Sequence, residues 1–385
     1  MQAKWQDSDD ELRVDLPQAK TIVKKIARKT SKISEGLRDF HDKLAPSNFV
    51  SWTSKRQKVE ASKAQALLSS AALLENSKKE GVQIKKLAQT DPADFLGSVV
   101  QSVDAREGRF AFAGFDKVVK VLKLDPKSAK NYAVEKAICL AGVPITKAKL
   151  LDGDKALCAY ERKEFVGFLD LAREKSTAIY KLFDEPKTLV EGFALSSDRK
   201  LALVFGGRQT CLLDSRTQQV VSASAQPQPL RDVAFIGEQE FCAAFADRKL
   251  RTFDLRKGIS LIQSQVQGDF TRLASNGDRL LCGGKSGLVK LFSVRGGLTH
   301  EKEFHNLSTD ISFVDMSQNL GLFGTAWARN GLRIIDLSTL HVLKSWPNVK
   351  TNLGTIKAAS FSAEGDSLLT GNSLGSLSIY KLWDE

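Results

Sequence analysis

The residues best suited to acid–base chemistry are four aspartates, Asp170, Asp214, Asp254 and Asp336, and they fall at one point of a repeated phrase. General acid–base catalysis needs carboxylates or histidines converging on one reacting group. A carboxylate that returns once per repeat serves each repeat instead, so these four are expected to be turn partners. The histidines, His41, His300, His305 and His341, are scattered. His300 and His305 are loosely spaced as metal ligands can be, but no cysteine or second acidic ligand is patterned with them. Gly284-Lys285-Ser286 resembles the end of a nucleotide-binding loop, yet Arg279 stands where its first glycine should be and strand-like sequence flanks it. No nucleophile elbow or HExxH is present. The expectation is a protein without catalytic residues, metal or cofactor.

The phrase that carries the aspartates is clearest in Gly331-Leu332-Arg333-Ile334-Ile335-Asp336-Leu337, a turn glycine followed by an apolar strand closing on a carboxylate. Six further copies place Lys123, Asp170, Asp214, Asp254, Ser293 and Lys381 at the position of Asp336, at intervals of 39 to 47 residues. That period predicts an all-β fold, a seven-bladed WD40-type β-propeller. Each repeat reads strand, turn, strand, turn, strand, as in 98–103, 109–113 and 117–124, then 146–151, 156–160 and 165–171. Glycines in the second turn, as in Gly114-Phe115-Asp116, Gly206-Gly207-Arg208 and Arg329-Asn330-Gly331, are expected to supply positive φ.

Six repeats are followed by a fourth, outer strand, such as 220–223, 259–263 or 342–346. The seventh is not, since the sequence stops at Glu385. A blade without its outer strand leaves an exposed edge and an unclosed ring. Val82-Gln83-Ile84-Lys85-Lys86-Leu87, with period-two alternation immediately before the first repeat, is predicted to fill it, with Val82, Ile84 and Leu87 closing the propeller. The expected organisation is therefore a propeller over residues 81–385 behind an extension of residues 1–80.

The chain of 385 residues carries a formal charge of +12 and is 42% hydrophobic. Residues 20–90 hold 16 basic against 6 acidic side chains, whereas residues 1–19 hold 2 against 5, so most of the basic character sits in the extension. Five cysteines, Cys139, Cys158, Cys211, Cys242 and Cys282, fall inside apolar strand patterns without paired spacing, and are expected to be reduced core thiols of an intracellular protein. No apolar run approaches the roughly 18 residues of a membrane span and no signal-type segment follows Met1, so no membrane partner is expected.

The extension is expected to be basic, partly helical and partly disordered. Trp5-Gln6-Asp7-Ser8-Asp9-Asp10-Glu11 places one large aromatic among acids that include Asp9 and Asp10, the composition of a short docking peptide. Between Thr21 and Ile33, apolar positions fall near helical spacing among Lys24, Lys25, Arg28, Lys29 and Lys32. Such a basic amphipathic helix suits RNA phosphates, a protein groove or nuclear import. A second periodic stretch, Leu37, Phe40, His41 and Leu44, stops at Pro46 and leads to Phe49 and Trp52, aromatics that need a surface to bury against, and residues 62–74 form an Ala/Leu-rich helical pattern. These tail residues are the candidate RNA and partner contacts. Loop cations Arg248, Arg251, Lys285, Lys290, Arg295, Arg329 and Arg333 are a second, weaker set.

Several landmarks, in order and spacing, resemble the U3 small nucleolar RNA-associated protein 18 family. They are the opening Trp5 with its acidic cluster, Gly36-Leu37-Arg38-Asp39-Phe40-His41-Asp42-Lys43-Leu44 leading to Ser51-Trp52, and Gly81-Val82-Gln83-Ile84-Lys85-Lys86-Leu87. Ala113-Gly114-Phe115-Asp116, Val143-Pro144-Ile145-Thr146-Lys147-Ala148 and the closing Gly371-Asn372-Ser373-Leu374-Gly375-Ser376-Leu377-Ser378-Ile379-Tyr380-Lys381-Leu382 continue the series. The resemblance implies a nucleolar, non-catalytic scaffold of the UTP-B subcomplex of the small-subunit processome. Its partners would be UTP-B propeller proteins, U3 small nucleolar RNA and precursor rRNA, during 18S maturation. Some members recruit the exosome's RNA helicase through an aromatic, a hydrophobic residue, Val and Asp. Leu12-Arg13-Val14-Asp15 keeps part of that motif and lacks the aromatic. The competing reading is a propeller adaptor of another class, a ubiquitin-ligase substrate receptor or a signalling scaffold, for which the basic arm has no evident use.

Overall fold

The computed structural model describes residues 82–383 apart from 91–97, 126–130, 141, 152–153, 257–259 and 349–350. Strands Gln83–Gln89 through Leu377–Trp383 assemble into seven four-stranded antiparallel sheets, with no helix among the described residues. Blades one to six each take four consecutive strands, within 100–139, 145–179, 192–225, 230–267, 270–304 and 313–342. Successive blades pack innermost strand against innermost strand, and blade one packs against blade seven. The fold is a seven-bladed β-propeller.

Burial explains why short apolar runs form these strands. The second strand of each blade is covered by a neighbouring blade on both faces, so it reads as a continuous apolar run, as in Leu201–Gly206 and Leu320–Gly324. Outer strands face solvent and lose that pattern, as Lys175–Ile179 shows. Between blades the seams are filled by large side chains, among them the fully buried Phe193, Phe241, Phe245, Phe292 and Phe323. At the seam between blades seven and one, a Cβ on Gly371 would lie 2.4 Å from Val100 Cγ1, so that close approach admits only glycine.

Blade seven is composite. Its strands Ile356–Phe361, Ser367–Asn372 and Leu377–Trp383 are joined on the outside by Gln83–Gln89, in the order first-in-sequence beside last. The pairing is antiparallel, with Ile84 opposite Leu382 and Lys86 opposite Tyr380, and a bulge at Leu87. Val82 and Ile84 pack into the seam with blade six beside Tyr380, Leu382 and Leu320, while Leu87 packs into the seam with blade one beside Leu122 and Tyr132. Thr90 clamps the end of the pairing: its N–H donates to the Leu377 carbonyl at 2.8 Å, and its hydroxyl accepts the Leu377 N–H at 2.8 Å.

Three local expectations are corrected. The outer strand of blade six is only His341–Val342, not 342–346, because the chain leaves the sheet and Trp346 turns inward. Its ring meets Tyr380 edge-on at 5.2 Å in the seam with blade seven. Positive φ in the second turns falls on Gly207, Gly287 and Gly375, but also on Lys117, Arg162, Arg248 and Asn330, and not on Gly114, Gly206 or Gly331, so glycine is not the general solution. Cys139 is exposed at the end of an outer strand, whereas Cys158, Cys211, Cys242 and Cys282 are buried. Burial pushes the Cys158, Cys211 and Cys242 thiols up to about 12, far from the thiolate that reacts. Labelling the native protein with a thiol reagent near pH 8 should therefore modify Cys139 rapidly and the other four only after unfolding. Two or more fast thiols would contradict these strand assignments.

Candidate functional site

The recurrent aspartates are turn caps. Each carboxylate at the end of a third strand accepts a backbone N–H from the turn that follows. Asp170 takes Arg173 at 3.0 Å, Asp214 takes Arg216 at 2.9 Å, Asp254 takes Arg256 at 2.8 Å and Asp336 takes Ser338 at 2.8 Å. No two of them converge, and no acid–base pair results. Gly284-Lys285-Ser286-Gly287 is the turn between strands Arg279–Gly284 and Val289–Ser293, so it lacks the following helix that a phosphate-binding loop requires. His300 and His305 both lie near Glu303, at 3.5 and 3.6 Å. Among the described residues no group of three or more His, Cys, Asp or Glu side chains is placed to hold a metal ion.

A second set of carboxylates, which the repeat phrase does not contain, lies on the innermost strands around the central channel. Asp104 accepts the Leu150 N–H at 2.8 Å, Asp232 the Leu273 N–H at 2.9 Å and Asp315 the Phe361 N–H at 2.8 Å. These partners are 46, 41 and 46 residues ahead, one blade further on, so each aspartate staples its own blade to the next. Ser102 does the same through its hydroxyl, donating to the Ala148 carbonyl at 2.9 Å and accepting the Ala148 N–H at 3.0 Å.

Asp104 is the hub of the largest such network. Only 1% of its side chain is exposed, and it meets Lys149 of blade two at 3.0 Å and Arg199 of the blade-three turn at 2.7 Å. Burial alone would raise its carboxyl. The combined pull of Lys149 and Arg199, with hydrogen bonds from the guanidinium and the Leu150 N–H, holds it below the ordinary carboxylate range. Lys149 also reaches Ser360 of blade seven at 3.2 Å, and Ser360 in turn donates to Asp315 at 2.8 Å. Thus one polar chain links blades six, seven, one, two and three across the channel. Lys147 sits nearby over the Phe193 ring at 5.5 Å, and burial pushes its ammonium down against the opposing pull of Asp232 and Asp315. Asp104, Lys149, Arg199, Ser360 and Asp315 are held by one another, which is the geometry of a structural network.

The loop cations divide. Lys290 is paired with Glu303 at 2.7 Å, Arg295 with Asp278 at 2.9 Å, and Arg251 with Asp247 while lying over the Phe245 ring. Arg333 donates to the carbonyls of Asn330 and Leu332. Arg248, Lys285 and Arg329 make no ion pair among the described residues. The tail candidates Trp5, Asp9, Asp10, Lys24, Lys25, Arg28, Lys29, Lys32, Phe40 and Trp52, and the partial motif 12–15, lie outside the described residues. The inner-strand aspartates have a faint signal in sequence, a single acid inside an apolar strand in Ser102-Val103-Asp104-Ala105, Asp232-Val233-Ala234-Phe235 and Phe313-Val314-Asp315-Met316.

Seven blades of four strands, closed by an upstream strand and capped by turn carboxylates, define a propeller of the WD-repeat type. No protein-family model matches the chain. It is 23% identical over 316 residues to the U3 small nucleolar RNA-associated protein 18 homolog of Arabidopsis thaliana, covering 78% of this chain and 57% of that protein. It is 21% identical over 284 residues to the probable U3 small nucleolar RNA-associated protein 18 of Schizosaccharomyces pombe, covering 70% and 54%. The mouse homolog of the same name is 20% identical over 285 residues, covering 70% and 51%. The curated homologues of this chain are thus proteins named U3 small nucleolar RNA-associated protein 18, in plant, yeast and mouse. The chain spans about half the length of the curated relatives it matches.

Proposed function

We propose that this chain is a non-catalytic scaffold of ribosome biogenesis, associated with U3 small nucleolar RNA in the small-subunit processome as part of its UTP-B subcomplex. It acts in precursor 18S rRNA processing in the nucleolus. The observation that carries the reading is the shared name of relatives from three kingdom-level lineages, aligned over 70–78% of the chain. The geometry is consistent with it. The titratable groups around the channel are occupied in holding blades together, which suits a rigid platform. In this reading the propeller meets other UTP-B propeller proteins. The extension supplies contacts to U3 and precursor rRNA through Lys24, Lys25, Arg28, Lys29 and Lys32, and to protein through Trp5, Asp9, Asp10, Phe40 and Trp52. Residues 12–15 lack the aromatic of the helicase-recruiting motif, so recruitment of the exosome helicase does not enter the proposal.

The test is affinity purification of the tagged full chain at moderate salt, with sequencing of bound RNA and mass spectrometry of bound protein. U3 RNA, precursor rRNA and other large propeller proteins are expected. Removing residues 1–80 should reduce RNA recovery and leave propeller partners, because phosphate contacts by clustered Lys and Arg dominate affinity for RNA. Recovery of cullin-type or signalling partners without RNA would overturn the reading in favour of the adaptor class.

A further inference from the structure

In a propeller whose strands alternate in direction, the turns from second to third strand and the crossovers from one blade to the next open on the same end. Among the described residues, nine large hydrophobic side chains are exposed, and five of them lie on that end: Phe115, Tyr180, Leu189, Trp327 and Leu374. The two most exposed of all are Trp327, at 74%, and Leu374, at 67%. They sit in the corresponding turns of neighbouring blades six and seven.

Their exposure is not that of a loose loop. On one side of the Trp327 turn, Ala326 N–H donates to Ser312 Oγ at 3.0 Å and Thr325 Oγ1 meets Thr309 Oγ1 at 2.9 Å. On the other, Asn330 N–H donates to the Gly354 carbonyl at 2.9 Å, Asn330 Oδ1 accepts the Leu353 N–H at 2.8 Å, and Arg329 forms an isolated bridge with Thr355. The Leu374 turn hangs from the same segment, since Ser373 N–H donates to the Thr355 carbonyl at 2.9 Å. Trp327 and Leu374 are thus fixed to one short rail, 353–355. A large apolar pair exposed on a fixed backbone is costly to keep in water, and it favours a partner because little backbone entropy remains to be lost on docking.

The charges on the two turns and beside the Trp327 ring are basic. Lys357 Nζ lies 5.9 Å from the centre of the Trp327 ring, and Arg329 is exposed without an ion pair among the described residues. The two turns and the rail, 325–331, 353–355 and 372–376, contain no carboxylate. The adjoining crossover brings Asp310, one of whose oxygens is buried. We propose that Trp327 and Leu374, with Arg329 and Lys357 beside them, form a docking site for an acidic protein segment that inserts a bulky apolar side chain. Leu374 favours protein over nucleic acid, because an aliphatic side chain offers a base nothing to stack on.

The experiment is selection of a randomised displayed peptide library on the full chain, followed by titration of the selected peptides. Sequences in which Asp or Glu flank Leu, Phe or Trp are expected. Trp327→Ala should weaken them about 30-fold, as loss of an interface anchor does. Arg329→Glu and Lys357→Glu should weaken them in proportion to peptide charge, and thermal melting of the variants should stay that of the parent, since none of these side chains is buried. Selection of neutral or basic peptides, or binding indifferent to Trp327→Ala, overturns the proposal. So does a short single-stranded RNA that crosslinks at Trp327 and displaces the peptides, which would assign the site to nucleic acid.

Discussion

A chain starting at residue 91 is expected to melt about 10 °C below one starting at residue 81, although the two differ only by residues 81–90. The shorter chain lacks Gln83–Gln89 and so loses the ladder against Leu377–Trp383. It also loses the burial of Ala88 and the partial burial of Val82, Ile84 and Leu87 in two different seams. Partly buried side chains of this size contribute about 1 kcal/mol each and net backbone hydrogen bonds somewhat less, so the strand is worth about 5 kcal/mol. The loss also bares a full edge on blade seven, and self-association on heating should rise with it. Scanning calorimetry with light scattering on the two chains measures both effects. Removing residues 1–80 should change the melting temperature far less. Equal melting of the chains starting at 81 and 91 would mean that the ring does not depend on its upstream strand.

The second large effect is expected at Asp104. Its removal by Asp104→Ala leaves Lys149 and Arg199 facing one another around the channel and strands the Leu150 N–H. Breaking a buried pair from one side costs about 3–5 kcal/mol. Denaturant melts should show that loss, and a double-mutant cycle with Arg199→Ala should recover part of it, because the second change removes the uncompensated charge. The pH dependence has a definite sign. The folded carboxyl is held below its unfolded value, near 4 for an aspartate, so its stabilisation is complete above about pH 4. It is lost as pH falls through the folded value. The stability gap between the parent and Asp104→Asn should therefore be constant near neutrality and narrow in acid below about pH 4. A gap that widens on acidification would contradict the network.

The blade pattern is legible in sequence because it is periodic. The third strands, from 118–124 to 377–383, fall within a residue or two of where the turn glycine, apolar run and carboxylate place them. The turn-capping role of Asp170, Asp214, Asp254 and Asp336 is legible for the same reason. What is not periodic is hidden. Asp104, Asp232 and Asp315 occur on three of seven inner strands, and a lone acid in an apolar run gives no sign that its partner is an N–H one blade away. Trp346 continues the apolar pattern of an outer strand, and only packing against Tyr380 takes it out of the sheet. Nothing in the sequence singles out Trp327 and Leu374, because the backbone bonds that tie both turns to 353–355 follow no local pattern. The tail signals rest on composition alone and lie outside the described residues.

The joining of the first strand to the last also sets a clock for synthesis. Gln89 and Trp383 are separated by almost the whole propeller, so the strand that leaves the ribosome first must wait for the strand that leaves last. At about 5–20 residues per second that interval is about 15–60 s. Throughout it the nascent chain carries an unpaired strand edge at Gln83–Gln89 and a growing, open arc of blades. Blades one to six can form in order as they emerge, but the ring becomes one cooperative body only once Leu377–Trp383 has emerged. Until then the bare edge is open to pairing with another chain, so slow translation lengthens the exposure to aggregation.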